Sequence, residues 1–575
     1  MSKENDKSDS QNLPASTVEF IKQVLKKMRY RRKVRRDVHA ELAAHFEDEL
    51  KDCKTDEEKE QKAQQLITDF GDLKLLAILL RRAKKRCRPL WRTIVARTFQ
   101  AVGVLILCFI VYVAWFLSGK PAISTNYVAE LNNMVRPVAD ESLNAAPLYI
   151  KAIELYEKRC DDIAELRSKT QPTPEEMGPI ENDMLRLLGK KYEEVTSEQK
   201  KRIEKWLNDN NEIFELVIAG AKKPYHWQTY GGRGDTMEMM SIVMPKLSGF
   251  RRLAFALRSR AQLRAEQGRY EDAFADMKSC YRLGQHIRGD KTLVEQLVGI
   301  SIEALAVQTI RDIVGGHEID STVLADFQRD FEQIINDENF AISFKAEKLC
   351  MYDEIQRCFT SDRFGKGHLY LPRFRKISDL AGGYGNEEGV GDLIVAVLYS
   401  APYLFGHPNK EETLKSVNAL YDYFEQLSLK TAVQRHAESD AIDDKFKELV
   451  NGNFFLRTLT PAVRRVIEIG NRPPTEVGAA LTIIAILRYN GDTGRYPQNL
   501  NQLVTAGYLK QLPIDSFADK PLSYRKTDDD FILYSVGPNF TDDGGQYSRD
   551  SKGRIKNWLD NGDAVFWPVP KPQPK

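Results

Sequence analysis

Most of the short patterns that carry enzymatic or metal chemistry are missing from this chain. No CxxC or CxxH pair occurs, which removes a zinc site of the usual spacing. GxSxG, HExxH and P-loop patterns are missing too, and no GxGxxG stands between a strand and a helix. The 42% apolar content is ordinary, and the formal charge of +2 excludes neither acidic nor basic partners. Charge is absent altogether from one stretch, "TFQAVGVLILCFIVYVAWFL", Thr98 to Leu117. These 20 residues, at about 1.5 Å per residue, match the ~30 Å hydrocarbon core of a bilayer.

That stretch divides the chain by charge. Residues 1–97 hold 24 Lys/Arg against 16 Asp/Glu, a net of +8, and residues 98–575 hold 60 against 66, a net of −6. "RRAKKRCRPLWR" precedes the apolar run and only Lys120 follows it closely. The excess of cations places the N-terminal side in the cytoplasm and residues 118–575 outside. The segment 94–117 is therefore read as a signal anchor of a bacterial inner-membrane protein, with Tyr112 and Trp115 near the outer interface. Neither the position nor the flanks are those of a cleaved signal peptide.

On this topology Cys53 and Cys87 are cytoplasmic, and Cys108 lies in the membrane. Cys160, Cys280, Cys350 and Cys358 lie where disulfides can form. Cys350 and Cys358, eight apart on one straight helix, are about 12 Å apart and cannot bond.

Residues 1–15 are polar and read as disordered. Residues 16–88 read as a small helical domain. Ser16 to Glu19 has capping-box spacing ahead of Ile21, Val24, Leu25 and Met28. Val38, Leu42, Phe46 and Leu50 follow at every fourth position. Thr55 to Glu58 is a second capping box, leading to Ala63, Leu66, Ile67 and Phe70, with Gly71 as the stop. A last helix from Leu73 carries Leu75, Leu76, Leu79 and Leu80. His39 and His45 are six apart, share no helix face and read as structural. "RYRRKVRR", Arg29 to Arg36, reads as a solvated face or a contact for anionic lipid headgroups, with no nucleic-acid partner expected.

Arg36, Glu41, His45 and Glu49, followed by "DFGDLKLLAILL", resemble the HAAS family of bacterial signalling domains, small helical units found ahead of membrane spans. The family's Gly-Asp-Pro stands here as Gly71-Asp72-Leu73, and its glycine before the third helix is absent from "DCKTDEE". The resemblance implies a protein-interaction or signalling role without catalysis, and a cytoplasmic regulatory protein as partner, in some members a PadR-type transcription regulator.

Residues 118–470 read as a large helical extracytoplasmic domain. "NAAPLYIKAIELYEK" puts Leu148, Ala152, Leu155 and Tyr156 on one side. Arg251 to Ile287 reads as a helix, a glycine turn at Gly268 and a helix. The turn is like that of a tetratricopeptide repeat, but a single copy makes a hairpin and not a solenoid. "TLVEQLVGISIEALAVQTIRDIV" is apolar nearly all round and reads as a buried core helix. Glu295 with Glu303, and Glu347, Asp353 and Glu354 with His368, are the acid–base sets weighed for catalysis; the residues read as non-catalytic. "GGYGNEEGVGD", Gly382 to Asp392, reads as a loop. The Arg-Gly-Asp triplets in "GGRGDT" and at Arg288–Asp290 read as chance.

Pro473-Pro474 marks the start of the last part, residues 471–575. A helix with Val477, Leu481, Ile484 and Leu487 on one side is expected to end at Asn490-Gly491. Leu522–Arg525 and Phe531–Val536 then predict a small antiparallel sheet against it. Tyr496-Pro497, Leu500, Leu503, Tyr508-Leu509, Leu512-Pro513, Asp515, Tyr524, Ser535, Gly537 and Asp543-Gly544-Gly545 resemble, in order, the soluble head of a type II secretion major pseudopilin. The short prepilin leader and the N-terminal hydrophobic helix of that family are missing. Its Asp-Pro-Trp-Gly stands here as Asp515-Ser-Phe-Ala518.

The resemblance implies calcium in the loop after the last strand, where Asp542, Asp543 and Asp550 would be the oxygen ligands, with Asp560 or Asp563 adding another. Without that resemblance, "NFTDDGGQYSRD" reads as an Asx and glycine turn. No other cofactor is expected.

The sequence thus predicts a mainly α protein: a cytoplasmic helical bundle, one transmembrane helix, a large helical extracytoplasmic domain and a small α+β pseudopilin-like end. The function expected is a non-enzymatic signal relay or interaction across the membrane, with an extracytoplasmic protein partner or a homodimer. An envelope or type II secretion-like assembly component is the second reading, and an extracytoplasmic hydrolase the third.

Overall fold

The structure is a computed structural model and describes residues 13–86, 90–169, 184, 187–190, 194–231, 238–242, 246–335, 340–361, 366–370, 372–373, 406–459 and 463–570. It is mainly helical, with small antiparallel sheets near the C-terminus. The chain forms two compact units, Met1–Trp115 and Phe116–Lys575. "GGYGNEEGVGD" and residues 232–236 of "GGRGDT" lie outside the described residues, as does the Cys160 side chain.

The first unit holds α1 (Ala15–Met28), α2 (Arg32–Leu50), α3 (Asp56–Asp69), α4 (Leu73–Arg86) and α5 (Leu90–Ser118) as far as Trp115. Phe20, Ile21, Val24, Met28, Val38, Leu42, Phe46, Leu50 and Ala63 close its core, the periodic positions of three helices meeting face to face. Phe20, Phe46 and Phe70 have ring centroids 5.6 to 6.1 Å apart, and His45 sets its ring edgewise on Phe70 at 5.6 Å. The α3 capping box forms as expected, with Thr55 and Glu58 exchanging side-chain and backbone bonds. The expected box at Ser16 does not form. Pro14, with φ already near the helical value, starts α1 earlier, and its carbonyl accepts from Thr17 N at 3.0 Å. The Thr17 hydroxyl is buried without a partner among the described residues.

Among the described residues two helices are long and apolar enough to cross a membrane. Ile94–Phe116 spans 23 residues and only 6% of its apolar window is buried. The other, α10 (Leu293–Gly316), is 56% buried, and Ile300, Ile302, Ala306, Val307, Ile310 and Ile313 all lie in the core. It is a core helix, as its all-round apolar sequence predicts.

In the second unit α8 (Leu247–Glu266) and α9 (Tyr270–Arg288) pack directly on α10, while α6 (Ala146–Lys169) and α7 (Asn211–Ala221) pack on each other beside α8 and α9, and α11 (Ser321–Ile335) packs on α9. Gly268, at φ +74°, makes the α8–α9 turn, a conformation glycine adopts without Cβ strain. The inward face of α6 is rotated from the one expected: Tyr149, Ala152, Ile153 and Tyr156 are buried, while Leu148 and Leu155 are half-buried. A second core gathers Phe344, Ile355, Phe359, Leu420, Phe424 and Phe455 from α12 (Lys345–Cys358), α13 (Lys410–Leu429) and the helices after them.

The C-terminal part shares the first of these cores. Its long helix, called αC here (Arg472–Thr493), buries every residue from Thr475 to Ile486, with Pro473 and Pro474 in its first turn. It runs past Asn490-Gly491 and stops at Gly494, whose φ of +70° supplies the left-handed cap. β1 (Ile514–Asp515) pairs with β2 (Lys520–Pro521). β3 (Ser523–Lys526), β4 (Phe531–Ser535) and β5 (Ala564–Trp567) form an antiparallel sheet in that order. Phe531, Leu533 and Phe566 of the sheet lie in the same core as Ile483 and Ile484 of αC.

Candidate functional site

Each of the three aspartates expected to bind calcium is engaged in hydrogen bonds within the protein. Asp542 accepts from Tyr534 OH at 2.8 Å and from Gly544 N at 3.0 Å. Asp543 accepts from Asn539 Nδ2 at 3.0 Å. Asp550 takes Arg554 Nε at 2.8 Å and the backbone N–H groups of Lys552 and Arg554, and these contacts hold its carboxyl below the usual range. Asp563 is buried beneath the loop and accepts from Gly545 N at 2.7 Å and Asp543 N at 3.3 Å. Among the described residues no group of three or more His, Cys, Asp or Glu is placed to hold a metal ion. The loop is built as a hydrogen-bonded turn, with Gly544 and Gly545 both at positive φ.

The carboxylates weighed for acid–base work are likewise bound into the structure. Glu295 accepts from Tyr230 OH at 2.9 Å and caps α10 with Thr292. Glu303 pairs with Arg288 at 3.0 Å, both under a tenth exposed, so Arg288–Asp290 is no free loop. Glu347 accepts from Leu293 N at 2.9 Å, and Asp353 from Met239 N at 2.8 Å. Glu354 takes Arg373 at 2.8 Å; burial and then Asp353 push its carboxyl up. His368 bonds instead to Thr360 and the Phe116 carbonyl, and stacks on the Phe116 ring at 4.5 Å. Cys280, Cys350 and Cys358 are free thiols, and burial raises all three.

Sequence reading missed a buried polar network at the α9–α10 junction. Lys291 Nζ lies 2.7 Å from His226 Nδ1 and donates to the His286 carbonyl at 2.5 Å. The two imidazoles lie nearly parallel at 6.1 Å, and Tyr149 OH lies 2.8 Å from His286 Nδ1. Burial lowers Lys291 to about 8 and His286 to about 3, so both imidazoles stay neutral near pH 7. Lys291, His286 and Glu295 are all buried, so the network faces the interior and joins the two helices.

The arrangement suited to a ligand is an open cleft of about 490 Å³, also missed from sequence. One wall is Tyr423, Phe424 and Leu427 at the end of α13. Arg435 and His436 come from the short helix Ala432–Ala437, and Ile442, Asp443 and Phe446 from the helix Ser439–Val450. Ile467, Glu468 and Asn471 lead into αC, and the far wall is Phe517, Pro538 and Phe540 beside the sheet. The last two residues belong to "SVGPNF", directly before the aspartate turn.

Local forces position these groups. The Thr431–Gln434 capping box starts the short helix, and Thr431 Oγ1 donates to Asp519 at 2.8 Å, tying it to the turn after β1. Arg435 donates to the Leu427 and Lys430 carbonyls and so caps α13; burial lowers it to about 10. Glu468 is held by Arg465 at 2.8 Å and Arg472 at 3.0 Å. Phe540 adopts φ +57°, unusual for a bulky side chain, and lays its ring on the His436 imidazole at 4.1 Å. The result is an aromatic cavity with a polar rim, within the size of small-molecule and side-chain pockets. Its chemistry is that of binding an apolar or amphipathic group.

No protein-family model matches the chain, and neither the curated proteins nor the solved structures include a match.

Proposed function

We propose that this chain is a non-enzymatic, single-pass membrane protein that relays a binding event outside the cell membrane to a cytoplasmic regulatory partner. The observation that carries the reading is the pairing of an exposed apolar helix with two separately cored units. Ile94–Phe116 leaves nearly its whole apolar surface uncovered, and the division between the units falls at its end. An uncovered helix of that length costs tens of kcal/mol of apolar hydration in water, roughly 25 cal/mol for each Å², and none in lipid. The cations before Thr98 support a cytoplasmic place for the α1–α4 bundle.

The HAAS-like positions Arg36, Glu41, His45 and Glu49 lie on α2, in the unit given the partner-binding role. The aromatic cleft between α13 and Phe540 is the binding surface of the outer unit, and its ligand is an extracytoplasmic protein or an amphipathic molecule. A single helix transmits poorly, so the relay works as a homodimer or with a partner.

A second reading, an envelope or secretion-like assembly component, rests on the C-terminal order of one long helix followed by a three-stranded antiparallel sheet. Crosslinking in intact cells, purification of the full-length protein and mass spectrometry separate the two. A transcription regulator or sigma-factor-type protein linked through residues 16–88 is the expected result. Secretion or assembly proteins linked through residues 118–575, with nothing on the cytoplasmic side, would replace the relay with the second reading.

A further inference from the structure

We infer that α4 lies in the plane of the membrane surface, with its outer face seated among anionic lipid headgroups. This rests on the membrane reading above and adds a second lipid contact to it. α4 has two apolar faces. Leu73, Leu76, Ala77 and Leu80 pack into the core of the first unit. Leu75, Ile78 and Leu79 form the other face, at i, i+3 and i+4, and are 56%, 48% and 52% exposed. None of the described residues of the unit covers this stripe, whereas the other three helices of the bundle put their periodic apolar positions inside.

Charge and chain length identify what covers it. Arg82 continues the stripe at i+7, and Lys74, Arg81 and Lys85 follow one flank of it, about 80–120° round the helix. All four are exposed. An apolar stripe edged by cations is the pattern of a helix lying at an anionic interface, where the stems of Lys and Arg cover apolar surface and their heads reach phosphate. The end of α4 is also tethered there. Arg86 ends α4 and Leu90 begins α5, so at ~3.8 Å per Cα step their Cα atoms are within about 15 Å. Ile94 opens the apolar span one helical turn later. That distance is of the order of the headgroup layer. A protein partner would meet the same stripe, but the one-signed flank and the tether favour lipid.

The test uses the full-length protein in nanodiscs of phosphatidylcholine, with and without phosphatidylglycerol, both carrying acyl-brominated lipid. An environment-sensitive fluorophore is placed by Ile78→Cys, by Leu105→Cys in the span, or by Gln61→Cys on the solvent side of α3, in an otherwise cysteine-free chain. We expect bromine quenching at position 78 at least twofold above that at 61. We also expect it to weaken without the anionic lipid and in a Lys74→Glu, Arg81→Glu, Lys85→Glu background. Quenching at 105 with 78 no different from 61 overturns the inference and leaves the membrane span intact. No quenching at 105 overturns both. A disulfide between two copies at position 78 without lipid quenching overturns it in favour of self-association.

Discussion

Replacing Gly299 by alanine should loosen the second unit, because α9 and α10 cross with almost no space between their backbones. A Cβ on Gly299 would lie 2.7 Å from the Gly284 carbonyl oxygen and 2.8 Å from Arg288 N and Cβ. The reverse holds at Gly284, where a Cβ would lie 2.8 Å from the Gly299 oxygen and 2.7 Å from Glu303 Cγ. The obstacles at Gly299 are mostly backbone and cannot rotate away, so the helices must part by about 0.7 Å to reach an ordinary contact near 3.4 Å. Overpacking of this kind costs about 1–3 kcal/mol.

Two further terms act with opposite signs. Alanine favours the helix over glycine by about 1 kcal/mol. Parting the helices strains the buried Arg288–Glu303 pair beside the crossing, whose loss alone costs about 3–5 kcal/mol. Even partial loss of that pair outweighs the propensity gain, so G299A should be destabilised by about 2–3 kcal/mol. Gly316, at the exposed end of the same helix, has nothing within 4 Å of a Cβ, so G316A should be neutral or up to ~1 kcal/mol more stable. Denaturant titration of the full-length protein in one detergent, followed by tryptophan fluorescence, compares them. A G299A midpoint equal to or above that of G316A would refute the close crossing.

Three other outcomes follow from the same geometry. Asp276, fully buried, holds Arg260 and Arg264, so D276A leaves two guanidinium groups without their counterion. It should cost at least about 3 kcal/mol in the same titration, and a loss under 1 kcal/mol would contradict the pairing. His286 has its folded pKa depressed from 6.5 to about 3, so its contribution to stability is complete above 6.5 and lost as pH falls toward 3. Thermal unfolding should therefore shift down between pH 6.5 and 4, with a shallower slope in H286F; parallel slopes would remove His286 as a cause. Ser439 lines the cleft, so S439W should fill it and cut the binding of an apolar fluorescent probe at least fivefold with little change in midpoint. Undiminished binding would place the probe elsewhere.

What could be read from the sequence was mostly local. The α3 cap was legible because Thr55 and Glu58 act on each other three residues apart, and the β3–β4 hairpin because Phe531 and Leu533 alternate. Helix ends failed where a local signal competed: Pro14 overrode Ser16, and Gly494 overrode Asn490-Gly491. Pro473-Pro474 looked like a break, yet prolines in a first helical turn give up no intrahelical bond, and the helix they start runs through the core. The cleft was illegible because its walls come from residues 423 to 540, and aromatic side chains there have the spacing of ordinary core. The Lys291 network joins residues as far apart as Tyr149 and Lys291, and no periodicity records that. The aspartates of the turn were visible, but their partners, Arg554 and the backbone N–H groups, were not.

The central claim is that one helix carries the chain across a membrane, with the α1–α4 bundle on one side and the second unit on the other. Single cysteines replacing exposed Gln64 on α3 and exposed Lys510 in the second unit, in an otherwise cysteine-free full-length chain, test it directly with a membrane-impermeant maleimide on spheroplasts. The account predicts labelling at position 510 in intact spheroplasts and at position 64 only after lysis. Equal labelling of both before lysis, or labelling of position 64 alone, would contradict it.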